Sequence, residues 1–307
     1  MTVSEPLIAG VELGGTKCIA TLARGRKIVR QARWPTQSAA TLDHVSNALT
    51  QWYGDTPFAG IGIASFGPIH VDLHHAAFGR MGNTPKPGWA GVNVRAHFAD
   101  RFDIPIGIDT DVAGAALAEG AWGASQGCTV HGYVTIGTGV GFGLVVEGKA
   151  VHGHLHPEAG HLRIRRQVGD SFAGACPTHG DCLEGLVGGP ALAARALVAV
   201  ADLGEDDPLW EQVAGDISEW TTMMILALSP QRLVMGGGVM QARPHLLPMI
   251  CKRTAALLNG YIEDLDEAAL EKIIVHPGLG VDTGPLGAVL LGQRAVTIQA
   301  RDRMDNI

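Results

Sequence analysis

The sequence predicts an α/β protein built of two lobes, and three observations carry that prediction. Apolar residues make up 46% of the chain and aromatics only 5%, the balance of a Gly-, Ala- and Val-rich α/β enzyme. A disordered or disulfide-stapled chain has a different composition. The length, 307 residues, allows a large core and about two domains. A layout of apolar strand, Gly/Thr turn and apolar strand occurs twice, at Leu7 to Leu22 and again from Tyr133 to Glu147. Two weakly similar halves point to an internal duplication, with a cleft between two α/β lobes.

The elements follow in order. Leu7 to Leu22 reads as two strands around Gly14-Gly15-Thr16-Lys17, where adjacent glycines permit a tight hairpin. Thr41 to Trp52 places Leu42, Val45, Leu49 and Trp52 at helical spacing. The apolar run Ile61 to Ser65, bounded by Gly67-Pro68, reads as a buried strand. A helical stretch from Val94 to Phe102 leads to a short strand, Ile104 to Ile108. Asp109-Thr110-Asp111 then caps an Ala-rich helix running to about Ala121. Tyr133 to Ile136 and Phe142 to Glu147 are strands flanking the turn Gly137-Thr138-Gly139-Val140-Gly141. His152 to Leu183 is His-, Gly- and Cys-rich and irregular, and helices are expected over Pro190 to Val200 and Trp210 to Leu228. Arg232 to Met235 is a strand ending in Gly236-Gly237-Gly238. A turn from Gly278 to Gly284 precedes a last helix from Pro285 to about Val296.

Charge and composition narrow the function. A formal net charge of −7 leaves no nonspecific basic footprint for nucleic acid. Acidity does not exclude a nucleotide, because backbone N–H groups and a metal can hold phosphates. Met1 to Pro6 lacks the layout of a signal peptide, and no apolar run is long enough to span a membrane. Five cysteines without an export signal imply reduced thiols and a cytoplasmic protein.

Two constellations carry candidate chemistry. Gly14-Gly15-Thr16-Lys17 and Gly137-Thr138-Gly139-Val140-Gly141 could each wrap a phosphate with backbone N–H groups and a Thr hydroxyl. Gly236-Gly237-Gly238 after a strand lets a flat ring approach the backbone. Taken singly, each is an ordinary turn, and none has Walker or Rossmann spacing. The second constellation is His161, Cys176, His179 and Cys182, two imidazoles and two thiols. That is a complete tetrahedral set for zinc with no open position for chemistry. A free-thiol loop with coincidental histidines is the alternative; a redox pair is disfavoured because the spacing is not Cys-x-x-Cys.

Joined in order, the motifs resemble the ROK family of the actin-like kinase superfamily. The matching segments are Gly10 to Lys17, Ile61 to Pro68, Asp109-Thr-Asp111 through Glu119, Ile136 to Gly141, Glu158-Ala-Gly-His161, Cys182-Leu-Glu184 and Val234 to Gly238. The resemblance implies an actin-like ATPase (RNase-H-like) fold with ATP and a sugar between two lobes. The first lobe is residues 1–111, joined by the C-terminal helix, about 285–307, and the second is 112–284 with the zinc-binding loop. It implies Asp111 as general base, although by sequence alone Asp111, or equally Asp109, could simply cap the helix. A helix N-terminus is expected to lower the Asp111 pKa and keep it ionised. Gly67, Thr110, Asp111, Glu158, His161 and Glu184 are the implied sugar contacts. Gly14, Gly15, Thr16, Lys17, Gly137, Thr138, Gly139, Gly236, Gly237 and Gly238 are the implied nucleotide contacts. Magnesium with ATP, a structural zinc on His161, Cys176, His179 and Cys182, and a homodimer are implied as well.

The departures from the family pattern refine the substrate. Glu12 stands where most members carry Asp, Thr110 replaces a sugar-binding Asn, and Ala113 replaces another Asn. Members resembling bacterial fructokinases share Glu at the first position, Asp-Thr-Asp at the second, Ser65 to Pro68 and Thr84 to Trp89. The resemblance therefore implies transfer to the 6-hydroxyl of fructose, with mannose, glucose or an N-acetylhexosamine as alternative substrates. A sugar-responsive regulator is the third reading, disfavoured because the hairpin begins within ten residues of Met1 and Asp111 is retained.

Overall fold

The computed structural model describes residues 5–196 and 198–305. The chain runs β1 (Leu7–Leu13), β2 (Lys17–Arg24), β3 (Lys27–Pro35), α1 (Thr41–Asp55), β4 (Ile61–Ser65), α2 (Val94–Ala99), β5 (Ile106–Thr110) and α3 (Asp111–Trp122). It continues with β6 (Val130–Ile136), β7 (Val140–Val146), β8 (Lys149–Ala150), α4 (Leu183–Val187), α5 (Gly189–Arg195) and α6 (Pro208–Leu228). Then come β9 (Arg232–Gly236), α7 (Gly238–Ala242), α8 (Leu246–Leu258), α9 (Glu267–Ile273), β10 (Ile274–Val275) and α10 (Thr283–Asp305). The chain divides into two compact units.

The first unit comprises the chain through Trp122, Ala150–His156, and the segment from Val281 onward. Its sheet has the order β3-β2-β1-β4-β5. β1 and β2 pair antiparallel, while β1, β4 and β5 run parallel. Strand alternation sorts β1 into two faces. Leu7, Ala9, Val11 and Leu13 join Leu42, Val45, Leu49 and Trp52 of α1 in one core. Ile8 faces the other way and packs with Val289 of α10. That second face needs glycine, because the α10 backbone lies directly on the strands. A Cβ at Gly62 would overlap the Ala288 carbonyl oxygen, and one at Gly10 would come within 2.8 Å of the Val289 nitrogen.

The helix beginning at Asp111 also belongs to this unit, which differs from the expected boundary between 111 and 112. The physical reason is another glycine contact: α3 and α10 meet where Gly114 faces Gly287, whose Cβ would sit 2.5 Å from the Gly114 carbonyl carbon. α10 begins at Thr283 and reaches Asp305, beyond the expected end near Val296. The last two residues of the expected 285–307 span, like Met1–Ser4, lie outside the described residues.

The second unit comprises Gly123–Lys149 and Pro157–Gly280. Its sheet, ordered β10-β9-β6-β7-β8, repeats the plan of an antiparallel hairpin beside parallel strands. α6 packs against α8 and α4, and its Trp220 indole donates to the Ala159 carbonyl at 2.8 Å. α5 stops at Arg195, short of the expected Val200, because Ala196 turns extended. α7, α8, α9, β3 and β10 stand outside the sequence expectations. β3 is an edge strand with little buried surface, so it shows no clean apolar alternation. No helix among the described residues is long and apolar enough to cross a membrane.

Candidate active site

In the first unit the site grows from one edge of the sheet. Leu13, Ser65 and Thr110 lie in register on the parallel strands β1, β4 and β5. The segments that follow them, Gly14–Lys17, Phe66–Pro68 and Asp111, therefore leave the sheet at the carboxyl ends of neighbouring strands, where open α/β sheets place their ligands. The hairpin turn is braced from β3's exit: the Thr36 hydroxyl donates to the Gly14 carbonyl at 2.8 Å and its N–H to the Thr16 carbonyl at 2.8 Å. Gly15, Thr16 and Lys17 are left exposed. Gly67-Pro68 is a cis peptide bond.

Thr110, rather than Asp111 or Asp109, is the N-cap of α3. Its hydroxyl accepts from the Ala113 N–H at 3.1 Å, the Ncap-to-N3 bond of a helix start. Asp109 is buried; one carboxylate oxygen accepts from the Thr110 N–H at 2.7 Å and the other meets the His152 imidazole at 2.9 Å. This bond raises the His152 pKa. With capping done by Thr110, Asp111 is released for another task. It accepts from the Val112 N–H at 2.9 Å and keeps an accessible edge.

The expected depression of the Asp111 pKa is not what the surroundings produce. Burial pushes the carboxyl from 3.8 up to about 6, outweighing the lowering by backbone N–H groups and by the Lys86 ammonium. Glu12 sits on the α10 face of β1, against Gly284, with its Oε2 buried and unpaired. Burial first, then repulsion by Asp111, raises its carboxyl to about 7 against the pull of Lys17 and Arg33. A buried, unpaired carboxylate oxygen beside a second carboxylate suits a hard divalent cation such as magnesium.

Sequence reasoning placed Lys17 at the phosphates and passed over Lys86. The Lys86 ammonium donates to the Gly15 carbonyl at 2.6 Å and lies 4.9 Å from the Phe66 ring centroid. Its loop is pinned by Trp89, fully buried and edge-on to Phe66. The signal was present in the segment Thr84 to Trp89, where two prolines flank the lysine.

In the second unit the same edge logic holds. Thr135 of β6 and Gly236 of β9 are in register, so the turn Gly137–Gly141 and the run Gly236–Gly238 emerge side by side. Gly237 has φ +92°, a conformation open to glycine, and a Cβ at Gly236 would overlap the Tyr133 hydroxyl. The turn is held by Glu184 on α4, whose Oε2 accepts from the Val140 N–H at 3.0 Å, and by the Gly189 N–H on the Gly137 carbonyl at 2.8 Å. The Glu158–His161 segment reaches the same strand, since Gly160 presses on the Val140 backbone. Glu158, His161, Glu184 and the turn are thus gathered around Val140, with the Glu158 side chain exposed.

His161, Cys176, His179 and Cys182 converge, their ligand atoms all within 4.8 Å of one another. The His161 Nδ1 lies 3.8 Å from Cys176 Sγ and 3.5 Å from Cys182 Sγ, and His179 Nδ1 lies 3.9 Å from Cys176 Sγ. Zinc bonds of about 2.0–2.3 Å at a tetrahedral centre put ligand atoms about 3.3–3.8 Å apart. The separations here reach 4.8 Å, somewhat wider than that, and the donor set of two thiols and two imidazoles suits this ion. Behind the loop, Arg195 is buried between Asp216 at 2.9 Å and Asp170 at 3.2 Å and donates to the Leu186 carbonyl at 2.9 Å. That network ties the metal loop to α4 and α6.

Beside Gly238 opens a cavity of about 220 Å³ walled by Leu192, Val200, Trp210, Val239, Ala242 and Arg243. Apart from the glycines at its edge, none of these residues stood out in the sequence, because an apolar wall is indistinguishable there from core.

Fold and site together define the class: the paired β-hairpin sheets and Gly-rich turns are those of the actin-like sugar-kinase fold. The chain belongs to the ROK family, which it matches over residues 8–295. A fructokinase from Zymomonas mobilis is 40% identical over 294 residues, covering 93% of this chain and 96% of that protein. A fructokinase from Pediococcus pentosaceus is 38% identical over 291 residues, covering 94% and 99%. The crystal structure of a ROK hexokinase from Thermus thermophilus superposes with a TM-score of 0.74 at 23% identity, covering 96% of this chain and 99% of that one.

Proposed function

We propose that this protein transfers the γ-phosphoryl group of ATP to the 6-hydroxyl of fructose. One observation carries the chemistry: Asp111 is relieved of capping by Thr110 and held on the same carboxyl edge of the sheet as the Gly14–Lys17 turn, with β4 between β5 and β1. Two fructokinases of nearly the same length, at 38–40% identity, support fructose as the acceptor.

In this reading Asp111 accepts the hydroxyl proton as the oxygen attacks phosphorus. A pKa near 6 leaves it ionised at neutral pH yet basic enough to hold a proton. The backbone N–H groups of the exposed Gly15 and Thr16 and those of Thr138 and Gly139 cradle phosphate oxygens, Gly137 shapes the second turn by donating its N–H to the Gly139 carbonyl, and Lys17 and Lys86 supply positive charge. Glu12 helps hold magnesium, which when bound with ATP neutralises charge on the phosphate oxygens. The purine occupies the cavity beside Gly236–Gly238. Glu158, His161 and Glu184 bind sugar hydroxyls, and Gly67 closes on the sugar through its backbone. Thr110 contributes by fixing where α3, and hence Asp111, begins. A structural zinc on the four-residue cluster orders the loop between Glu158 and Glu184; with two thiolates and two imidazoles it has no open position for chemistry. The homodimer and the cytoplasmic setting implied by the family resemblance belong to the same reading.

The test is ATP- and magnesium-dependent phosphorylation of fructose, mannose, glucose and N-acetylmannosamine. A preference for fructose is expected. A higher kcat/KM for any of the others would overturn the acceptor assignment while keeping the kinase.

A further inference from the structure

We infer that this kinase selects a purine nucleoside triphosphate without selecting adenine, so that GTP and ITP serve as phosphoryl donors nearly as well as ATP. The inference rests on the reading above that the cavity beside Gly238 holds the base. Adenine differs from guanine and hypoxanthine at its sixth ring position, where adenine offers an amino donor and the other two a carbonyl acceptor. Selecting adenine there requires a protein group that accepts a hydrogen bond.

Among the described residues that line the cavity, no side chain supplies one: only Trp210 and Arg243 carry a polar side-chain group. Both are donors only, and each donates to a backbone carbonyl. The Trp210 indole N–H donates to the Gly204 carbonyl at 2.7 Å. The Arg243 guanidinium lies 4.9 Å from the Trp210 ring centroid and donates to the Val200 carbonyl at 2.7 Å. Backbone carbonyls of the wall already accept hydrogen bonds from the protein: Leu192 from the Ala196 N–H, Val239 from the Arg243 N–H, Arg243 from the Leu246 N–H, and Val200 and Ala201 from the Arg243 guanidinium.

What remains is a largely apolar wall that includes Leu192 and Val239, which in this reading recognises a flat bicyclic ring by contact and stacking. A slot of this kind discriminates weakly between ligands of one shape, whereas a pocket built to hydrogen-bond a substrate group rejects analogues far more strongly. The reaction itself is unchanged. The bond from the γ-phosphorus to the β–γ bridging oxygen breaks, the nucleoside diphosphate leaves, a new bond forms to the sugar oxygen, and Asp111 takes the hydroxyl proton.

The experiment compares initial rates with ATP, GTP and ITP at fixed sugar and magnesium, followed by sugar phosphate formation. Values of kcat/KM for GTP and ITP within about tenfold of ATP are expected, and a larger gap for either would overturn the inference. Ala242→Trp, at an exposed position of the wall, separates this result from failure of the cavity reading. It should raise KM for ATP and GTP together and leave the KM for sugar unchanged. An unaltered nucleotide KM would mean that the base binds elsewhere, and would overturn the inference whatever the donor panel shows.

Discussion

Replacing Asp111 by Asn should cripple the reaction and at the same time strengthen the fold. The wild-type carboxyl is raised from 3.8 to about 6, so the folded protein binds this proton more tightly than the unfolded chain does. The ionised native form is therefore penalised: the cost is absent below about pH 4, grows as pH rises and is complete above about pH 6. A rise of roughly two pKa units corresponds to about 3 kcal/mol at neutral pH, and partial solvent access makes that an upper bound. The substituted amide keeps the shape and carries no charge. By calorimetry at pH 7.5 the variant should melt several degrees above wild type, on a scale of about 2–4 °C per kcal/mol, with the difference closing near pH 4. Turnover should fall by about 10²–10⁴, the contribution typical of a positioned base. In wild type kcat/KM should rise with pH through about 6, dropping to about one-tenth of its plateau at pH 5. The residual rate of Asp111→Asn should lack that limb. A variant with more than a tenth of wild-type turnover, or one that melts below wild type at pH 7.5, would refute the reasoning.

Two further outcomes follow from the packing. Metal analysis should find zinc near one equivalent per chain and its loss in Cys176→Ser, with kcat/KM for sugar falling as the Glu158 to Glu184 loop loses order; a zinc-free wild type of full activity would contradict the structural-metal reading. Gly62→Ala forces a Cβ into the Ala288 carbonyl, backbone against backbone, and should cost about 3 kcal/mol or more, lowering the melting temperature by about 5 °C or more; a shift under about 1 °C would show that α10 can give way.

Much of this was legible because local chemistry and global fold agree. The strand Ile61–Ser65 was readable to the residue, as an apolar run closed by Gly-Pro. The Cys/His cluster was readable because three of its ligands fall within seven residues. Other features were hidden for identifiable reasons. β3 lies at a sheet edge and mixes polar with apolar residues. The Thr110 cap could not be told from an Asp109 or Asp111 cap, since all three side chains can accept from a helix N-terminus. The pKa of Asp111 went the opposite way to the helix-end argument, because burial is a property of the packed fold and outweighs the dipole. The role of Glu184 in bracing the 137–141 turn depends on a contact 44 residues away in sequence, which no local pattern encodes.

The most direct test of the central claim is ³¹P NMR of the product formed from fructose, ATP and magnesium. Fructose 6-phosphate should appear in step with ADP. Fructose 1-phosphate, or ATP hydrolysis without any sugar phosphate, would contradict it.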